Sequence, residues 1–78
     1  MPLFHFHVAD GYSRPDAEGT ELPDIASART EAVRLAGAIL KDQPEELWRG
    51  TSWLLTVTDG LDKALFRLCF SAESLEAA

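Results

Sequence analysis

The 78-residue chain lacks most of the devices that stabilise a small fold. Its single cysteine, Cys69, excludes an intramolecular disulfide, and no cysteines and histidines are spaced as in a structural zinc site. A chain of this length buries only about 60% of the surface that it exposes when unfolded. We therefore expect one domain at residues 1–71, stabilised by close packing or by formation of a homodimer, and a frayed tail at residues 72–78.

Basic residues are also scarce. The chain has 7 lysines and arginines against 13 aspartates and glutamates, a net charge of -6, and the basic residues are scattered from Arg14 to Arg67 without forming a run. Affinity for nucleic acid rests mainly on lysine and arginine side chains that neutralise phosphates. The composition therefore disfavours both nucleic acid and an anionic membrane surface as partners.

Long apolar runs and glycine-rich loops are missing as well. No stretch reaches the length of about 20 apolar residues that crosses a bilayer, and the N-terminus has no basic segment before an apolar one. Together with the single cysteine, this predicts a cytoplasmic protein. The chain has no phosphate-binding loop, nucleophile motif or spaced acid–base pair, so the sequence predicts neither an enzyme nor a cofactor.

Alternation of apolar and polar residues predicts that the chain begins with a strand. At residues 3–8 the phenylalanines fall on one face and the histidines on the other, which is the period of a half-buried strand. The Asp-Gly pair at residues 10–11 favours a hairpin turn. A returning strand at residues 12–14 then ends before Pro15, which has no backbone donor. A short extended piece is expected at residues 20–22.

A long amphipathic helix is the next predicted element. Asp24 stands where a helix N-cap belongs, and apolar residues recur at spacings of three and four over residues 25–41. Pro44 is placed to begin a helix of a single turn. Two further strands are predicted at residues 52–58 and 64–70. This order indicates an α+β fold, a small antiparallel sheet of about four strands (ββαββ) with the helix packed on one face.

Three segments of the chain together resemble a known family. They are FHFHVADG at the start, EGTELPDIASARTEAVRLAGAIL in the middle, and WLLTVTDG leading into LFRLCFS. They resemble a family of short bacterial proteins known only as a domain of unknown function, over nearly the whole chain. The resemblance implies the fold described above and a bacterial source, but no activity.

A weaker likeness links the chain to HicB-type antitoxins. It rests on ELPD placed before an alanine-rich amphipathic helix, and it implies a role as an antitoxin-like partner of a toxin. The Gly-Cys pair and the further glycine that often follow in that family are missing, since Ile25 and Ala26 continue directly into the helix. A likeness of architecture does not determine function.

The two histidines are the candidate metal ligands. His5 and His7 lie two residues apart on one strand, about 7 Å between Cα atoms, which suits two ligands of one ion. A third ligand would have to come from a neighbouring strand, and Cys69 is the soft candidate. The alternative is that both rings half-cover an exposed sheet face. The acidic residues from Asp10 to Asp24 lack the spacing of a calcium loop, so we assign them to a turn, a helix cap and loop solvation.

The face of the sheet that carries the histidines is the candidate binding surface. It is too apolar for an ordinary solvent face and too polar for a core, which is typical of a surface that meets a protein partner or a second copy. We expect a non-enzymatic interaction or self-associating module that uses this face or an edge strand. The alternative is a regulator that binds a metal or small ligand through His5, His7, Arg67 and Cys69. The predicted partner or dimer face comprises Leu3, His5, His7, Leu54, Thr56, Leu65, Arg67 and Cys69.

Overall fold

The computed structural model of the protein describes residues 1–9, 13–49 and 52–76. Within these ranges, five strands and one α-helix follow one another in the predicted order, with a 3₁₀ helix after the α-helix. The elements are β1 (Leu3–Ala9), β2 (Ser13–Arg14), β3 (Thr20–Glu21), α1 (Ile25–Asp42), the 3₁₀ helix (Pro44–Arg49), β4 (Trp53–Asp59) and β5 (Ala64–Phe70).

The predicted α+β fold is confirmed, and most bounds agree to within a residue or two. The helix predicted at Pro44 is longer than a single turn, because it continues as a 3₁₀ helix to Arg49. The predicted turn at residues 10–11 lies outside the described residues. Residues 72–76, the described part of the predicted tail, form neither helix nor strand.

Helix α1 begins and packs as its sequence indicates. The Asp24 carboxylate accepts a hydrogen bond from the Ser27 backbone N–H at 2.8 Å, which satisfies one of the unpaired donors of the first turn. Three alanines, Ala28, Ala32 and Ala36, are completely buried, and their small side chains let the helix lie close to the sheet. Within the described part of the chain, no helix is both long and apolar enough to span a membrane.

The sheet is antiparallel, in the order β2-β1-β4-β5, and β3 pairs with the opposite end of β1 from β2. Strands β1 and β4 pair along their lengths, from Phe4 opposite Asp59 to Ala9 opposite Leu54. Strands β4 and β5 form a hairpin. The first and last long strands are therefore separated by β4, which the sequence alone did not show.

The core lies between α1 and the central strands. The side chains of β1 and β4 on the helix side of the sheet are buried, and Trp53, Leu55 and Val57 are completely so. The corresponding side chains of β5 are only half-buried, because β5 is an edge strand and α1 packs against β4. These half-buried side chains are Phe66, Leu68 and Phe70.

Candidate functional site

The face of the sheet opposite α1, here called the outer face, carries most of the predicted binding residues. The strand register places His7, Thr56 and Arg67 in one row across β1, β4 and β5. Arg67 Nε donates to Thr56 Oγ1 at 2.9 Å, so its guanidinium lies along this face. In the next row Leu54 is opposite Cys69, whose side chain is exposed. The strands thus bring these five residues together on one surface.

Leu65 occupies a special position at the beginning of β5. The β4–β5 ladder shifts register between Val57 and Thr58, whose partners are Phe66 and Ala64. Leu65 is therefore the extra residue of a β-bulge. Its side chain is half-buried and packs against the core cluster. The regular part of β5 accordingly begins at Phe66.

The loop at residues 15–19 covers the β1 end of the outer face. Gly19 has a φ of 77°, and a Cβ built on it would lie 3.0 Å from His5 Cε1 and 3.0 Å from Leu3 Cδ1. The loop backbone therefore packs directly on these two side chains, and only glycine fits there without strain. As a result, the predicted partner face is partly covered by the chain itself at Leu3 and His5.

Asp16 holds this loop on the edge of β1. Its Oδ2 accepts a hydrogen bond from the Phe6 backbone N–H at 3.1 Å, and its Oδ1 accepts from the N–H groups of Glu18 and Gly19 at 3.2 and 3.1 Å. The carboxylate thus takes the place of a strand carbonyl between β2 and β3. Loop solvation was the wrong assignment for Asp16. The signal that could have found it is an aspartate followed by glycine three residues later, which is typical of a side chain that caps its own turn.

The backbone of Asp16 also determines the tautomers of both histidines. The Asp16 N–H donates to His7 Nδ1 at 3.0 Å, so this nitrogen carries a lone pair and the proton is on Nε2. His7 Nε2–H then donates to Thr58 Oγ1 at 3.0 Å. His5 Nδ1 has the opposite role, because it donates to the Asp16 carbonyl at 2.8 Å. The two rings stack with centroids 6.0 Å apart, and the loop, β1 and β4 are joined in one network.

Among the described residues, these contacts use three of the four histidine ring nitrogens and do not involve His5 Nε2. Cys69 does not approach the rings, because it lies on β5, two strand spacings or about 10 Å from β1. Among the described residues no group of three histidine, cysteine or acidic side chains is placed to hold a metal. The structure therefore does not assemble the ligand set considered from the sequence.

The electrostatics of Asp16 agree with its structural role. Burial raises the pKa of its carboxyl group, but the backbone N–H donors of Gly19, Phe6 and Glu18 and the nearby His5 ring act in the opposite direction. The balance lowers the pKa below the ordinary value of 3.8. Asp16 is consequently ionised at neutral pH, and its negative charge favours the donors that hold the loop.

Strand β5 presents the second edge of the sheet. The Phe6 N–H points to Asp16, so the adjacent residue His7 directs its backbone groups towards Thr56 on β4. Backbone groups alternate sides along an antiparallel strand, so Thr56 of β4 forms its backbone hydrogen bonds with β1. The residues directly before and after Thr56 form theirs with β5. The backbone N–H and C=O groups of Arg67 and Cys69 therefore point away from β4. No other described strand pairs with them.

Comparison with known proteins identifies a family without assigning an activity. Residues 3–71 match a family model described as Domain of unknown function (DUF6894), and the chain belongs to this family. No curated protein and no solved structure matches the chain. The family match confirms the resemblance to a domain of unknown function and gives no support to the likeness to HicB-type antitoxins.

Proposed function

We propose that this protein is a non-enzymatic interaction module that self-associates through the outer edge of β5. The observation that carries the proposal is the row of backbone groups at Arg67 and Cys69 that point away from β4. Unpaired N–H and C=O groups along an edge strand are a template for another strand. Half-buried apolar side chains beside this row would gain contacts from an added strand.

The partner that we propose is a second copy of the chain. Native proteins usually protect an exposed edge with proline, charged side chains, short strands or a β-bulge. The β-bulge of β5 lies at its beginning, at Leu65, and leaves the stretch from Phe66 to Phe70 regular. The seven-residue β5 has no proline and no lysine, and its one charged side chain, that of Arg67, lies along the outer face on Thr56. A small domain also gains stability from oligomerisation that its thin core does not provide. Every copy presents the same edge, so self-pairing needs no additional protein.

We place this module in the bacterial cytoplasm. The family that the sequence resembles consists of bacterial proteins, and Cys69 is free and exposed. A reducing compartment keeps such a thiol from forming a disulfide between copies. Self-association would then depend on strand pairing and apolar contact alone.

The test is the molecular mass in solution of the wild type, Cys69→Ala and Cys69→Pro by sedimentation equilibrium. Alanine keeps the backbone N–H at position 69, whereas proline removes it and places a ring on the pairing edge. Proline is tolerated on an edge strand when its nitrogen faces solvent, so the bonds to β4 should survive. We expect dimers for the wild type and Cys69→Ala, and a monomer with an unchanged circular dichroism spectrum for Cys69→Pro.

A second measurement does not depend on how the proline variant folds. Hydrogen exchange of the wild type, followed by NMR, should show protected amides at Arg67 and Cys69 that lose protection on dilution. A wild type that stays monomeric at high micromolar concentration, with both amides exchanging rapidly, overturns the proposal.

A further inference from the structure

We infer that the two copies of β5 pair antiparallel about a two-fold axis that passes through Leu68. This inference rests on the proposed self-association and specifies its register. It makes Arg67 of each copy the neighbour of Cys69 of the other, and it places Leu68 opposite itself. Three features of β5 support this register over its alternatives: the length of its regular part, the position of its charge and the order of its apolar side chains.

The regular part of β5 is centred on Leu68. The β-bulge leaves Leu65 outside the ladder with β4, so regular pairing runs from Phe66 to Phe70. A two-fold axis through Leu68 uses this whole stretch in both copies. An axis through Cys69 would pair only the last three residues of β5, because each step of the axis shortens the overlap by two residues.

The charge on β5 disfavours the alternative in which the axis passes through Arg67. Residues whose backbone groups point outward must pair with residues of the same kind, so the axis passes through one residue rather than between two. An axis through Arg67 would place two guanidinium groups directly opposite each other, which destabilises a strand pair. The axis through Leu68 instead places the exposed, uncharged Cys69 beside each arginine.

The apolar side chains of β5 fit the same register. Phe66 and Phe70, which lie on the helix side of the sheet and are half-buried, would be opposite each other twice, on either side of the Leu68 pair. Pairs without hydrogen bonds between them bring side chains closest, and aromatic cross-strand pairs are stabilising. A two-fold axis perpendicular to the sheet also puts both α1 helices on the same side. The side chains that β5 leaves half-exposed would then lie between the two helices.

Charges introduced at position 69 test the register. With the axis through Leu68, Cys69→Glu places a carboxylate opposite each Arg67 and should tighten the dimer, whereas Cys69→Lys should weaken it. For two symmetric pairs we expect changes in the dissociation constant of roughly 2- to 30-fold in each direction. The matched controls are Leu61→Glu and Leu61→Lys, which alter net charge at an exposed residue of the β4–β5 turn. Both controls should leave the dissociation constant nearly unchanged.

The outcomes separate the register from the proposed function. Weakening by both charges at position 69 means that Cys69 lies opposite itself, and no effect from either means that it faces an uncharged residue. Either result overturns the axis through Leu68 but leaves the proposed dimer unaffected. A wild type that is monomeric in the same measurement overturns the proposed function itself. Restoration of the Cys69→Lys dimer by Arg67→Glu would confirm the pairing of these two positions.

Discussion

The two edges of the sheet differ in whether other parts of the chain satisfy their backbone groups. On the β1 side, two strands of two residues each flank a loop that contains Pro15, and the Asp16 carboxylate accepts the one backbone N–H that the strands leave between them. On the β5 side, seven residues form the edge, and no further strand among the described residues pairs with them. The comparison indicates that backbone groups satisfied by the chain itself close an edge, which is why we propose the β5 edge as the one that accepts a partner.

The largest effect on stability is expected from Asp16→Ala, which removes the carboxylate that satisfies the β1 edge. This change removes the acceptor of three backbone N–H groups, of which that of Phe6 belongs to a buried residue. Leaving a buried donor unsatisfied costs about 1–3 kcal/mol, so the free energy of unfolding should fall by that amount in urea denaturation. With two open edges the protein should also form species larger than a dimer. Glu18→Ala, an exposed acidic residue of the same loop, is the control and should change neither property.

A somewhat smaller loss of stability is expected from Gly19→Ala. Alanine would have to adopt a φ of 77° and would place its Cβ 3.0 Å from the His5 ring and the Leu3 side chain. The left-handed conformation alone costs about 1–2 kcal/mol. The matched control is Gly37→Ala in α1, where the new Cβ would meet no atom within 4 Å. That variant should be more stable by about 0.5–1 kcal/mol, so thermal melting temperatures should move in opposite directions. A stabilised Gly19→Ala would mean that the loop does not pack on β1 as described.

The smallest effect is the contribution of the Asp16 charge to the pH dependence of stability. Because the pKa of Asp16 is lowered in the folded protein, its contribution is complete above the ordinary carboxyl value of 3.8 and is lost as the pH falls through the folded value. The lowered pKa values of Asp24 and Asp59 act with the same sign. The wild type should therefore lose more free energy of unfolding than Asp16→Asn when acidified through this window. Parallel curves for the two proteins would show that the charge of Asp16 does not stabilise the loop.

The elements could be predicted from the sequence because their signals are local. The alternation in β1 and the N-cap of α1 each involve a few consecutive residues, and Asp24 does cap the helix as expected. The order of the strands has no local signal, since alternation does not say which distant strands meet. An arrangement with β1 beside β5 would have brought Cys69 towards His5 and His7, but β4 separates them.

The edge formed by β2, β3 and the Asp16 loop beside β1 could be predicted only in outline. The short extended piece at residues 20–22 was expected and is present as β3, and Pro15 does end β2. The hydrogen bond from Phe6 to the Asp16 carboxylate joins a strand backbone to a loop side chain. Neither propensity nor periodicity reports such a contact, because it depends on the path of the loop in space. The histidine tautomers follow from this path as well.

The pairing of β1 with β4 has a consequence for how the chain folds. Strands β4 and β5 are joined by a short turn, and such hairpins form in about 1–10 μs. Phe4 and Asp59, by contrast, come together only after the whole of α1 and the 3₁₀ helix have been made. Strand β1 is synthesised before β4 but pairs with it late, since closing a long loop costs entropy before any contact offsets it. We expect a nascent chain that ends before β4 to leave β1 unpaired with its main partner, with its two phenylalanines available to the cell's chaperones.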